Sequence, residues 1–321
     1  MHRIFLRVLP GVLRVAVGAG CLALLWRVAD GAAALGYLAA ADIAWMAAAL
    51  VLLTVQALLS AMRWRLTARQ LGIELDRGPA VREYYLSQIV NQVLPGGVLG
   101  DAGRALRARG QAGLLASGQA VVFERLAGQI GLLVVFSAAV AGTWAVPGGF
   151  RGPDWLLGVT LSLPVAGATV FALYCAGGRM RVFMLEWLPA RIVRAAKGLV
   201  AAFAHSVAAP EVRVPQGFMS LGTALCNIAA FACCAAAIGA PLPVPATLVL
   251  IPLILVTMLI PLTPAGWGLR EGAAAALLPL AGATSAEGLA ASVAFGLALL
   301  VSTLPGLIAF ALAAVPHPVK S

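Results

Sequence analysis

Charge is what this chain has least of. Asp, Glu, Lys and Arg supply 11% of its 321 residues, while 62% are apolar; soluble domains carry about 25% charged residues. A water-soluble fold of this length cannot hide so much apolar surface, so lipid must be the solvent for much of the chain. Lysine is nearly missing, with Lys197 and Lys320 set against 20 arginines. Histidine is confined to His2, His205 and His317, which form no metal-ligand pair. The cysteines, Cys21, Cys175, Cys226, Cys233 and Cys234, all lie in apolar stretches, make no CxxC and read as small membrane-buried residues. There is no Gly-Lys-Ser/Thr after a glycine-rich turn, no activated Ser or Cys motif and no DxD-type cluster. The expectation is therefore a protein with no catalytic residue, metal or cofactor, and not an enzyme.

The charge that is present is strongly basic, with a net value of +10. Its placement between apolar segments, with no long soluble patch, argues against nucleic acid and for topology: Arg and Lys hold cytoplasmic loops inside. The Ala, Gly and Arg richness suggests a high-GC bacterial genome, hence a multi-pass protein of a bacterial inner membrane.

Uncharged windows of about 20 residues locate the spans. Segment one is 10–29, with Arg3 and Arg7 before it and Arg14 near its start; it reads as a retained signal-anchor helix, with no convincing Ala-x-Ala cleavage site. Segment two is 43–62, segment three 119–142 and segment four 155–176. The uncharged run 214–269 is divided by Pro241, Pro243 and Pro245 into segments five (216–238) and six (246–262), and a last helix occupies much of 287–315. Adding two broken segments, the expected fold is an all-α polytopic membrane protein with about seven or eight transmembrane helices in a single transmembrane domain, 1–321. The basic clusters put the N-terminus, 62–83, 101–118 and 177–213 in the cytoplasm, and the short turns near 30–40, 143–154 and 239–245 outside. Whether 273–283 crosses, and so where the C-terminus lies, stays open.

The broken segments carry the chemistry. The first, 84–100, holds Ser87, Gln88, Asn91 and Gln92 and breaks at Pro95-Gly96-Gly97, just before Asp101 and Arg104. Basic clusters on both sides make it re-entrant, which is tolerated only where protein or water covers the backbone. The second reads Pro264-Ala265-Gly266-Trp267-Gly268-Leu269-Arg270-Glu271. Paired Gly/Pro interruptions point to a transporter's central site, and 84–142 and 250–315 form a candidate pseudo-repeat, with chance likeness between Gly/Pro turns as the alternative. Gly96 and Gly97 free backbone N–H groups to cradle an anion, and nearby arginines can pair with a headgroup. Asp101 and Arg104, three apart, suit a local ion pair as well as a site. Glu124 and Arg125 mark either a pathway or a snorkelling helix-end pair. Arg270 and Glu271 lie in a more apolar setting that favours function. Trp267 fits either ligand stacking or interfacial anchoring.

These stretches resemble a known family. Arg63-Trp64-Arg65, then Leu94-Pro95-Gly96-Gly97-Val98-Leu99-Gly100-Asp101-Ala102-Gly103-Arg104, then Glu124-Arg125, then 261–272 look like the lysylphosphatidylglycerol synthase transmembrane family, also termed flippase-like. The resemblance implies re-entrant segments and a lipid-handling role. In relatives with a soluble synthase domain that domain transfers an amino acid to phosphatidylglycerol; here the chain ends soon after the last helix, so synthase activity is not carried over.

The leading expectation is translocation or presentation of an anionic or polyprenyl/hopanoid-type lipid, using Gln88, Asn91, Gln92, Gly96, Gly97, Asp101, Arg104, Glu124, Arg125, Trp267, Arg270 and Glu271. The alternative is a non-catalytic membrane partner of a lipid- or envelope-modifying enzyme, with the basic 177–213 loop as its contact.

Overall fold

A computed structural model describes residues 2–94, 98–145, 190–260 and 262–307, with a few isolated positions between 150 and 165. Most of segment four, the Pro95-Gly96-Gly97 tip, Pro261, the 177–189 half of the basic loop and the tail after 307 lie outside the described residues. Among the described residues the structure is all helical. The elements are α1 (His2–Val28), α2 (Gly31–Ala39), α3 (Ile43–Gln70), α4 (Arg77–Val93), α5 (Leu99–Ala145), α6 (Ala190–Val207), α7 (Arg213–Ala237), α8 (Val244–Val256), α9 (Leu269–Leu277) and α10 (Ser285–Ser302). Single 3-10 turns occupy Thr257–Leu259, Pro264–Gly266 and Leu278–Ala281.

Four of the described helices are long and apolar enough to cross a bilayer: Ile43–Gln70, Leu99–Thr143, Arg213–Ala237 and Ser285–Leu307. A fifth crossing is available if Val15–Val28 and Gly31–Ala39, which meet at 92°, count as one bent span. The region 30–40, expected as a short turn, is instead helical over Gly31–Ala39. Asp30 supplies the physical reason: its left-handed backbone (φ 51°) breaks α1, and its carboxylate accepts the Ala33 N–H at 3.2 Å, capping the new helix.

Helices α3 and α7 run antiparallel and pack along their length. At one end the Asp42 N–H donates to the Ala237 carbonyl at 2.8 Å; at the other, the Gln216 amide donates to Thr67 Oγ1 at 2.7 Å. Helix α5 also packs on α7, and small residues permit the close approach, as in other membrane bundles. A Cβ on Gly131 would stand 2.5 Å from the Ser220 carbonyl oxygen, whereas one on Gly142 of the same helix meets nothing within 4 Å. Gly131→Ala is therefore expected to destabilise the protein by about 1–3 kcal/mol. Gly142→Ala should leave it unchanged or slightly firmer. Thermal unfolding of the two variants in detergent checks the contrast.

The apolar core lies between α3, α5, α7, α8, α9 and α10, with Phe231 and Phe295 in contact at 5.3 Å between ring centroids. Two helix–break–helix units flank it. In the first, α4 and the start of α5 lie against each other so tightly that a Cβ on Gly100 would sit 2.0 Å from the Ser87 carbonyl oxygen. Gly113, at φ 82° and ψ 169°, then breaks α5 and sends its long second part across the bundle. In the second unit, α8 ends in the Thr257–Leu259 turn, the chain reverses through Pro264–Gly266, and α9 packs back on α8 and against α10. The Pro264–Gly266 turn touches α4, so the second unit's break packs against the first unit's leading helix.

Candidate functional site

Polar residues set into apolar helices at helical spacing must share a face. On α3, Gln56, Ser60 and Arg63 follow an i, i+4, i+7 pattern; on α5, Glu124 and Arg125 precede Gly128 and Gln129 by one turn; on α7, Thr223 precedes Asn227 by one turn. The fold turns these faces toward α4, which brings Tyr84, Ser87, Gln88, Asn91 and Gln92. Thr263, Ala265 and Gly266 from the second break close the far side. Together they line a cavity of about 320 Å³, a volume that suits a headgroup rather than a whole lipid.

One wall of the cavity is a chain of buried ion pairs. Arg63, 4% exposed, donates to Glu124 Oε1 at 2.6 Å and to Thr223 Oγ1 at 2.8 Å. The other oxygen of Glu124 takes Arg104 Nη2 at 3.3 Å, and the same nitrogen lies 3.1 Å from Asp101 Oδ1. Ser87 Oγ donates to that Asp101 oxygen at 2.8 Å, and Arg125 pairs with the second one. The guanidinium of Arg104 also sits 4.5 Å from the Trp64 ring and 4.8 Å from the Tyr84 ring, which offsets part of its desolvation. Three guanidiniums face two carboxylates, leaving one positive charge in excess. Arg125 is the most exposed of the five, with 46% of its side chain accessible. The lack of a side chain at Gly128 makes room for Arg63, since a Cβ there would stand 2.8 Å from Arg63 Nη2.

Of the residues singled out from the sequence, Gln88, Asn91, Gln92, Asp101, Glu124 and Arg125 line this cavity. Arg104 stands behind the lining, 1% exposed, and reaches the cavity only through its two carboxylates. Gly96 and Gly97 lie outside the described residues. Trp267, Arg270 and Glu271 form a separate cluster. Arg270 pairs with its neighbour Glu271, donates to Ser292 Oγ at 3.0 Å and lies over Trp267 and Phe295 at 5.2 and 5.4 Å. Glu271 in turn accepts the Gly268 N–H at 2.6 Å and the Ser292 hydroxyl at 3.2 Å, so it caps α9 from within. Both are fully buried and neither lines the cavity.

The residue that sequence reasoning left out of the site is Arg63. It ends the uncharged run 43–62 and falls in the basic 62–83 region, but α3 continues to Gln70, which places Arg63 well inside the helix. The polar positions Gln56, Gln129, Thr223 and Asn227 were also passed over. Their signal was present as isolated amides and hydroxyls at four-residue spacing from charged or hydroxyl neighbours.

A helical, multi-pass membrane protein with a charged cavity between two interrupted helix pairs is thus the class that fold and site define. The chain belongs to the family described as the lysylphosphatidylglycerol synthase TM region, whose pattern matches residues 11–306. No curated protein matches it. Membership and the apolar helices fit a membrane protein concerned with lipids.

Proposed function

We propose that this chain translocates an anionic lipid across a bacterial inner membrane, without covalent chemistry, by passing the headgroup through the cavity while the acyl chains stay in the bilayer. That division keeps the desolvation cost to the headgroup alone. The observation that carries the reading is the cavity itself: a charged, amide-rich space enclosed from two sides by interrupted helices. In this reading α4 with the start of α5, and α8 with α9, are re-entrant hairpins entering from opposite faces. The total of seven or eight crossings includes segments outside the described residues, and the N-terminus is cytoplasmic.

The test is a proteoliposome assay that follows a fluorescent anionic phospholipid between leaflets. Wild-type protein should accelerate exchange, and Arg125→Gln should slow it about tenfold, the equivalent of one charge-assisted contact of about 1.4 kcal/mol. Because Arg125 is half-exposed, thermal stability should change little. Exchange no faster than in empty liposomes overturns the proposal.

A second reading has its own observation. Helix α6 carries Arg191, Arg194 and Lys197 on one side, all exposed. Such a basic helix suits a cytoplasmic enzyme or an anionic leaflet, and the chain would then present lipid to a lipid-modifying partner. Replacing all three with Gln should abolish co-purification of that partner while leaving lipid exchange intact; unaltered co-purification removes this reading.

A further inference from the structure

The cavity's composition says more about the headgroup than its charge does. Besides the ion pairs, its polar lining is dominated by carboxamides: Gln56, Gln88, Asn91, Gln92, Gln129 and Asn227. Two of them are engaged within the fold, Gln56 donating to Ser60 at 3.2 Å and Asn91 accepting the Gly100 N–H at 2.8 Å. Gln88, Gln92, Gln129 and Asn227 are half-buried on the cavity wall, each with a donor and an acceptor to offer. A second observation comes from Thr263, a residue only 2% exposed in the same cavity lining, whose hydroxyl has no hydrogen-bond partner among the described residues.

The arrangement is layered. Gln129 stands one turn beyond Arg125 along α5, and Asn227 one turn beyond Thr223 along α7. One turn is about 5.4 Å. Helix α3, running the other way, places Gln56 about two turns from Arg63 toward the same end. A ligand therefore meets positive charge at one level and neutral donor–acceptor pairs at the next.

A hydroxyl both donates and accepts, as a carboxamide does, so a wall of amides with an unpartnered threonine hydroxyl matches a ligand rich in hydroxyls. An ammonium group needs the opposite, a free carboxylate. Among the described residues the acids lining the cavity are Asp101 and Glu124, and both are held by arginines. Tyr84, the ring best placed for a cation, lies against Arg104.

We infer that the headgroup taken by this cavity is a single anionic centre, such as a phosphodiester, joined to a polyhydroxylated sugar or polyol, and not an aminoacylated or amine-bearing one. This rests on the translocator reading for its direction of travel but not for the binding preference. The test separates the two by measuring both binding in nanodiscs and exchange in proteoliposomes. The probes are phosphatidylinositol, phosphatidylmethanol and phosphatidylethanolamine with identical acyl chains, and free inositol phosphate as competitor.

The expected result is at least about tenfold tighter binding of phosphatidylinositol than of phosphatidylmethanol, which has the same charge and no hydroxyls. Phosphatidylethanolamine should be weakest, and free inositol phosphate a poor competitor because the acyl chains anchor the ligand. In the Gln129→Leu/Asn227→Leu variant the ratio of the first two affinities should fall toward unity. Equal binding of phosphatidylinositol and phosphatidylmethanol, or preference for the amine, overturns the inference. Strong competition by free inositol phosphate overturns its lipid source. Selective binding without exchange upholds the headgroup assignment and removes the translocator reading, and no binding of any lipid removes both.

Discussion

Glu124→Ala is expected to cost about 3–5 kcal/mol of stability, the range for breaking a buried ion pair by removing one partner. The reason lies in what Glu124 holds. Its two oxygens take Arg63 at 2.6 Å and Arg104 at 3.3 Å, and all three side chains are almost fully buried. Taking the carboxylate away leaves two nearly buried guanidiniums facing each other without the counter-charge between them. The ion chain would then carry three positive charges against Asp101 alone. Glu124→Gln keeps the shape and one acceptor but loses the charge, so it should fall between wild type and Glu124→Ala. Lipid exchange should be lost in both variants, because the wall of the cavity loses its arrangement. Retained fluorescence in size-exclusion chromatography after heating gives the stability order, and a Glu124→Ala protein as heat-resistant as wild type would contradict it.

The second large effect is at the other break. Glu271→Ala removes the partner of buried Arg270, the acceptor of the Gly268 N–H and the acceptor of the Ser292 hydroxyl at once. A loss of about 3–5 kcal/mol is expected here too. The matching prediction is the double variant Arg270→Met/Glu271→Leu, which removes both charges and fills the space with apolar side chains. Replacing a whole buried pair in this way is often neutral or stabilising. It should therefore recover most of the lost stability, less about 1 kcal/mol for the missing cap of α9. Lipid exchange should return with it, because neither residue lines the cavity. A double variant that is stable but inactive would show instead that Arg270 and Glu271 touch the substrate. Gly296 gives an independent handle: a Cβ there would stand 2.3 Å from Arg270 Nη2, so Gly296→Ala should also displace this cluster.

These two sites show which parts of the molecule the sequence discloses. The long spans α3, α5, α7 and α10 stand out because a bilayer demands long apolar windows, and among the described residues these four helices each meet that demand on their own. Glu124 stands out because a carboxylate within such a window is costly and needs a partner. Its partner Arg63 does not, since the two are 61 positions apart and only the packing of α3 on α5 joins them. Arg270 and Glu271 present the opposite case. They carry the charge expected of a site, yet as adjacent residues they satisfy each other, and Ser292 from α10 completes the bonding without any ligand. The helix Gly31–Ala39 was hidden because nine residues fall short of a span, and the Asp30 cap that starts it is a matter of local backbone geometry. The amides at Gln129 and Asn227 were visible as residues but not as a wall, because their common direction depends on how α5 and α7 are rotated against one another.

Substituted-cysteine labelling tests the wet, charged cavity most directly. Asn227 lines it, while Leu225, two positions earlier on α7, is 48% exposed on the outside of the bundle. In a chain stripped of its native cysteines, Asn227→Cys should react with a small membrane-impermeant thiol reagent in intact vesicles, and Leu225→Cys should stay unlabelled in the lipid. Labelling of Leu225→Cys with silence at Asn227→Cys, or silence at both, would mean that water does not reach the space between the two breaks, and the cavity as a headgroup path would be contradicted.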